Sequence, residues 1–140
     1  MTDMNRSAFY ILSFTWGIVV SAVGAVYALA MLLIGKRPKR FGHCIRFEIG
    51  KRWGGMNWGW LIITNKNPSL HLLRHEHGHG FQNIMLGPLM PILVCLPSSL
   101  RYHARNIIKR LHPKTVLKPY DSIWFEGWAT KLGEKYCREE

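Results

Sequence analysis

From Ala8 to Gly35 the chain carries no charged side chain, and this 28-residue run is the first limit on how the protein can fold. As one α-helix it would be about 42 Å long at 1.5 Å per residue, more than the roughly 30 Å of a bilayer's hydrocarbon core. The expectation is a single transmembrane helix, with residues 1–40 forming an anchor and its basic flank. A cleaved signal peptide is the competing reading, because Ala28-Leu29-Ala30 has the small-x-small look of a cleavage site. Signal h-regions run only about 7 to 15 residues, however, and this one continues through Met31 to Ile34. Asp3 and Arg6 offset each other before the run, whereas Lys36, Arg37, Lys39 and Arg40 crowd its far end. The positive-inside bias therefore places the rest of the chain on the cytoplasmic side of a cell membrane that it crosses once.

Residues 41–140 are enough for one small domain. Lysine and arginine number 19 against 8 acidic residues, and the net charge of +11 favours anionic partners, either phospholipid or nucleic acid. No zinc-finger, RRM or helix-turn-helix signature accompanies that charge, so nucleic acid is not expected as a partner. Cys44, Cys95 and Cys137 are odd in number, far apart and form no CxxC pair, which excludes a disulfide framework or a cysteine zinc knuckle from the expectations. They read as reduced, packed thiols.

Cys44 to Ile49 alternates as a half-buried strand does, and Trp58 to Thr64 is a second β-rich run. The glycine-marked stretch between them predicts a β-hairpin or meander. Trp53, Trp58 and Trp60 belong either in its core or at headgroup level. Asn67 and Pro68 then look like the N-cap and first position of a helix running to about Leu86.

That helix carries His75-Glu76-His77-Gly78-His79, which fits the pattern HExxH. Residues four apart on a helix differ by about 40° in azimuth, so the His75 and His79 imidazoles share one side and can hold one Zn²⁺. Glu76, about 100° from His75, reaches a water on that metal without taking a ligand position and suits a general base. His77 falls on the opposite face and His71 one turn early, so neither is expected as a ligand. The competing reading is a histidine-rich helix with solvated or hydrogen-bonded rings.

A catalytic zinc commonly takes three protein ligands and keeps one position open. Acidic residues are scarce: with Asp3, Glu134, Glu139 and Glu140 set aside as terminal, Glu48, Glu76, Asp121 and Glu126 remain. Asp121 stands where an N-cap would stand, before a helix over 122–132. Glu126 lies between Phe125 and Trp128, where an unpaired carboxylate is expensive to bury and a metal would remove the cost. Exposure, or a surface salt bridge to Lys131 or Arg110, is the alternative for Glu126. His103 and His112 are reserve ligands.

The stretch from His75 to Asn83, with Leu86-Gly87-Pro88-Leu89-Met90-Pro91, Pro97-Ser98, Trp53-Gly54-Gly55, Asn67-Pro68-Ser69, Arg101-Tyr102, Tyr120-Asp121 and Trp124-Phe125-Glu126-Gly127, resembles a group of small bacterial membrane-anchored proteins regarded as zinc metallopeptidases. It covers most of the chain after Phe41. The resemblance implies a zincin-like site of the gluzincin kind, with His75, His79 and Glu126 on zinc and Glu76 as base, and it implies no known substrate; the function expected is a zinc-dependent hydrolase acting on a peptide or protein. Gluzincins often carry an aspartate four residues after the glutamate ligand to orient a zinc histidine, and this chain has Thr130 there. That departure puts catalytic strength in more doubt than metal binding.

Ile84 to Leu96 is apolar but short and broken by proline, and the segment after it is as basic as the one before, so a buried or re-entrant element is expected rather than a second crossing. The fold class expected is therefore α+β: a transmembrane helix, then a minimal zincin-like domain of a short β-sheet, the HExxH helix and a C-terminal helix bearing Glu126. Asn57 is a candidate for lining the cleft, and Tyr102, His103 and Tyr120 for donating to an oxyanion. The rival function is a non-catalytic basic module, binding membrane surface or nucleic acid through residues 101–118, with incidental histidines. A second rival keeps the zinc but cleaves other amides or esters.

Overall fold

A four-stranded sheet in the order β1-β2-β4-β3 organises the protein in a computed structural model that describes residues 4–137. The strands are β1 (Lys39–Phe41), β2 (Cys44–Glu48), β3 (Gly55–Trp58) and β4 (Leu61–Thr64). Two hairpins, β1-β2 and β3-β4, are joined through a parallel β2-β4 pair in which Ile45 faces Leu61 and Glu48 faces Thr64. The expected hairpin between the two β-rich runs is thus corrected. Gly59, with φ 71°, turns the chain between Trp58 and Leu61, so only Leu61–Thr64 of the second run forms β4, and Gly55–Trp58, drawn mostly from the glycine-marked stretch, pairs back on it. All four residues of β4 are buried, as a strand paired on both sides and covered by helices must be.

The described residues also form five α-helices: α1 (Arg6–Phe14), α2 (Ile18–Leu33), α3 (Leu70–Leu86), α4 (Leu96–Leu111) and α5 (Trp124–Tyr136). The architecture is α+β, as the patterning implied. No single helix is long and apolar enough to cross a membrane among the described residues, and the expected continuous span is corrected to α1 and α2, bent by 101° at Thr15–Gly17. The break has a polar cause. The Asn83 amide on α3 donates to the Gly17 carbonyl and to Ser21 Oγ, both at 3.2 Å, which pins the chain there. Trp16 packs on Gly87, whose φ of 55° and lack of a Cβ make room for the indole.

Residues of the first forty are built into the main core rather than projecting from it. Phe9 is fully buried with Cys44, Ile62 and Phe81, and Ala28 packs with Phe47, Leu61 and Ile63. Trp53, Trp58 and Trp60 pack on the sheet, and the Trp60 indole donates to the Ser21 carbonyl at 3.1 Å. Cys44 and Cys137 are both buried, and burial pushes the pKa of the Cys44 thiol up, which keeps it inert. Asp3, Glu139 and Glu140 lie outside the described residues.

The α3 helix starts two residues later than its proline suggests. Ser69 is the N-cap, accepting from Leu72 N at 3.1 Å, while Asn67 sits at φ 53° in the preceding turn. After Leu86 a 3-10 turn and one wide turn at Pro91–Cys95 redirect the chain, and α4 leaves at 117° to α3. Met90 and Val94 are buried there, while Leu89, Ile92 and Leu96 are exposed, so the apolar connector is a corner with one face inward and one outward. Along α4 no residue is buried.

Candidate metal centre

Two glycines bring the site together. A Cβ on Gly78 would stand 1.8 Å from the Ala129 carbonyl oxygen, and one on Gly133 would stand 1.7 Å from that of Arg74. The α3 and α5 backbones therefore touch at two points about one turn apart, an approach only glycine permits. With α5 that close, Glu126 in its first turn reaches the His75 and His79 side of α3. One glycine of the crossing, Gly78, lies inside the HExxH motif itself.

His75, His79 and Glu126 are all buried, and each turns one ligand atom to a common point. Glu126 Oε2 is 3.0 Å from His75 Nε2 and 3.1 Å from His79 Nε2, and the two Nε2 atoms are 3.2 Å apart. Tetrahedral bonds of about 2.05 Å put ligand atoms about 3.3 Å from each other, so this triangle is close to one face of a zinc tetrahedron.

Hydrogen bonding on the far side of each ring decides what the three atoms can do. His79 Nδ1 is 2.7 Å from Gln82 Oε1, and the Gln82 amide nitrogen donates to the Phe125 carbonyl at 2.7 Å, so Oε1 must accept and Nδ1 must carry the proton. His75 Nδ1 is 2.9 Å from Thr130 Oγ1. That hydroxyl has only acceptors for its own proton, Asp121 Oδ2 at 3.1 Å and the Glu126 carbonyl at 3.3 Å, so it offers a lone pair to His75. Both neutral rings therefore present bare Nε2 lone pairs to a carboxylate oxygen. Three acceptors facing one point require a cation among them, either a proton or a metal ion, and the donor set of two imidazoles and a carboxylate suits zinc.

With a proton rather than a metal ion at that point, His75 and His79 share hydrogen bonds with Glu126, and the electrostatics follow from them. Burial pushes the Glu126 carboxyl up, but hydrogen bonds from His75 and His79 outweigh it and hold the group well below the usual carboxylate range. Burial lowers His79, and the hydrogen bond and charge of Glu126, with the charge of Glu76, more than offset this and raise it. Glu76 is buried and moved the other way from Glu126: burial raises it, against the opposing pull of His79 and His75. A carboxyl raised toward neutrality is suited to taking and returning a proton.

A cavity of about 800 Å³ opens beside the cluster, lined by His75, Glu76 and His79 on one side and by β3, the Met90–Cys95 corner and α4 on the others. Asn57, Tyr102, His103 and Tyr120 all line it. Asn57 itself is engaged with Gly59, accepting from its N–H at 2.7 Å. Tyr102 donates to the Trp53 carbonyl across the mouth at 3.5 Å, and Tyr120 donates to the Ser98 carbonyl at 3.3 Å.

His103 and His112 are exposed and are not brought to the cluster. Glu126 is 0 % exposed, which removes the surface bridge to Lys131 or Arg110. Asp121 is not an N-cap: it lies in a 3-10 turn (Tyr120–Ser122), Ile123 stands at the cap of α5, and the carboxylate receives the Thr130 hydroxyl instead. Asp121 thereby acts on His75 through Thr130. Gln82 and the glycine pair have no place among the sequence expectations. A glutamine three residues after the second histidine, and a glycine within the motif, are the signals that mark them. Part of the basic segment is spent internally, since the Arg101 and Arg105 guanidiniums flank the Tyr120 ring at 5.6 and 5.5 Å and hold the carbonyls of Tyr120 and Lys118.

Comparison of the chain with protein-family models, with curated proteins and with solved structures found no match.

Proposed function

We propose that the protein is a zinc-dependent hydrolase of the metallopeptidase type, with His75, His79 and Glu126 as ligands in a minimal zincin-like domain. The observation that carries the reading is the convergence of three lone pairs, each ring fixed from behind, next to an open cavity that also holds Glu76. Zinc held there supplies acidification of a water and polarisation of a carbonyl. Glu76 accepts the proton and returns it to the leaving amine, a role for which its raised pKa fits. Gln82 and the Thr130–Asp121 pair hold the imidazoles in the tautomer that leaves Nε2 free.

A peptide substrate suits the walls. Among the described residues β3 pairs only with β4, which leaves its other edge without a strand, and β3 lines the cavity through Gly55, Met56, Asn57 and Trp58. An extended chain laid along it meets backbone partners in register. Trp53, Met56, Trp58, Met90 and Val94 favour large apolar side chains flanking the cleaved bond.

Metal content by plasma mass spectrometry tests the proposal. One zinc per chain is expected in wild type, with loss in His79→Ala and in Glu126→Ala. Glu76→Gln is expected to keep zinc and lose peptide turnover. No zinc in wild type after incubation with excess metal at neutral pH would overturn the reading in favour of the basic surface module. Zinc retained without peptide turnover, but with turnover of simple esters or other amides, would keep the hydrolase and change its substrate class.

A further inference from the structure

The outward face of α2 is as apolar as its inward face, and nothing among the described residues covers it. Inward, Val20, Ser21, Gly24 and Ala28 are buried, and a Cβ on Gly24 would stand 2.5 Å from the Trp58 carbonyl oxygen. Outward, Val26, Leu29 and Leu33 are 69 %, 58 % and 77 % exposed. The surface continues past the first bend: Trp16 packs on Gly87, Val20 packs with Met90 and Val94, and beyond them Leu89, Ile92 and Leu96 again face out. A continuous apolar face on this scale marks an interaction site.

Two observations identify what covers it. The first is charge: Lys36, Arg37, Lys39 and Arg40 directly follow α2, and Arg6 opens α1, so the rim of the face is basic and complements anionic headgroups. The second is the sheet. α2 is seated on it from Ser21 to Ala28 by the Trp60–Ser21 hydrogen bond, the Gly24 contact and the Ala28 cluster. A helix so seated cannot cross a bilayer without drawing the sheet in with it. The sheet has open backbone edges at β1 and β3 and carries Lys39, Arg40, Arg46 and Glu48, and open edges are not tolerated in hydrocarbon. At about 24 Å for 16 residues, α2 is also short of the roughly 30 Å hydrocarbon core.

We propose that the protein docks on an anionic lipid bilayer without crossing it, α2 lying in the plane of the interface beside the Gly87–Leu96 corner, so that both ends of α2 stay on one side. The corner and α2 sink to the headgroup and acyl boundary, while the sheet edges and basic rim stay wet. The cavity is walled in part by the same corner through Met90, Val94 and Cys95, and so stands next to the lipid. This placement is independent of the zinc reading.

The test uses the full chain added to preformed phosphatidylcholine–phosphatidylglycerol vesicles, with Cys95→Ser as background and Ser7→Cys or Arg37→Cys as exposed probes before α2 and after it. The protein should float with the vesicles, and both probes should react fully with a membrane-impermeant maleimide before lysis. Leu29→Lys and Leu33→Lys should each lower vesicle affinity roughly tenfold, with unchanged thermal unfolding in solution. Protection of one probe until lysis would show a crossing and overturn the proposal. Failure to float, with concentration-dependent self-association blocked by the same lysines, would assign the face to a second copy of this chain and overturn it equally.

Discussion

Two histidine pairs meet at the same turn of α3 with nearly the same spacing: His75 with His79, both on the helix, and His77 with His43, which comes from the turn between β1 and β2. His75 and His79 bring their Nε2 atoms to 3.2 Å, and His77 brings its Nε2 to 3.3 Å from His43 Nδ1. Their surroundings are opposite. The first pair faces Glu126 and has both Nδ1 atoms held by acceptors. The second faces Phe41 and Phe81 and has no carboxylate beside it among the described residues; His77 Nε2 receives the His43 backbone N–H at 3.1 Å, and His43 Nε2 donates to the Met4 carbonyl at 2.6 Å. Burial, helped by the charge of His43, pushes the His77 pKa down to about 3. Proximity of two imidazoles is thus not what makes a metal site. A carboxylate at the same point, and partners that fix each ring's tautomer, make the difference.

Removing the carboxylate should make the first pair behave as the second does. In Glu126→Ala, two imidazoles remain in an apolar pocket and zinc retention through dialysis should fall from one per chain to background, as measured by mass spectrometry. A charge-neutral substitution at the helix crossing should act almost as strongly by distance alone. Gly78→Ala places a methyl carbon on the Ala129 carbonyl, so α5 must move and Glu126 with it. The expected result is loss of the zinc site and destabilisation of roughly 1–3 kcal/mol, the usual cost of overpacking, read from denaturant unfolding of the metal-free protein. Unchanged stability and zinc content in this variant would mean that the two helices do not depend on the glycine contact.

Fixing of the tautomer carries the next smaller effect. Thr130→Val keeps the shape of the side chain and removes the only group between His75 and Asp121. Zinc affinity, measured by chelator competition, should weaken about 10- to 100-fold, the usual range for a lost partner behind a metal ligand. Thr130→Ser should restore most of it. Asp121→Asn should fall between the two, because its amide oxygen still accepts from the hydroxyl but carries no charge.

This ordering also explains what the sequence could and could not convey. His75, Glu76 and His79 are legible because helix geometry is local: positions four apart share a face whatever surrounds them. Glu126 is legible for a different reason, since a carboxylate amid Phe125 and Trp128 needs a partner. Asp121, Thr130 and Gln82 are not, because their roles depend on where α5 meets α3, and that meeting is fixed by Gly78 and Gly133 at separations of tens of residues. The same limit governs the N-terminal run. Composition makes Ala8 to Gly35 apolar throughout, but its bend depends on Asn83, more than sixty residues away, reaching the Gly17 carbonyl. The two β-rich runs were visible as strands, while their parallel pairing, a property of the whole sheet, was not.

The smallest effect belongs to the second pair and appears only in acid. His77 is neutral in the folded state down to about pH 3, whereas in the unfolded chain it titrates near 6.5. Between those values the unfolded state binds a proton that the folded state refuses. Stability therefore declines as pH falls from about 6.5 toward 3, and no part of the His77 contribution changes above that window. His77→Gln presents an amide oxygen that can accept from the His43 N–H but takes up no proton. Its melting temperature should be lower than that of wild type at pH 7, where the imidazole packs better against Phe41 and Phe81. The gap should narrow as the pH is lowered toward 4. Parallel pH profiles for the two proteins, both metal-free, would show instead that His77 takes up its proton inside the fold, and the contrast between the two histidine pairs would then fail at its second member.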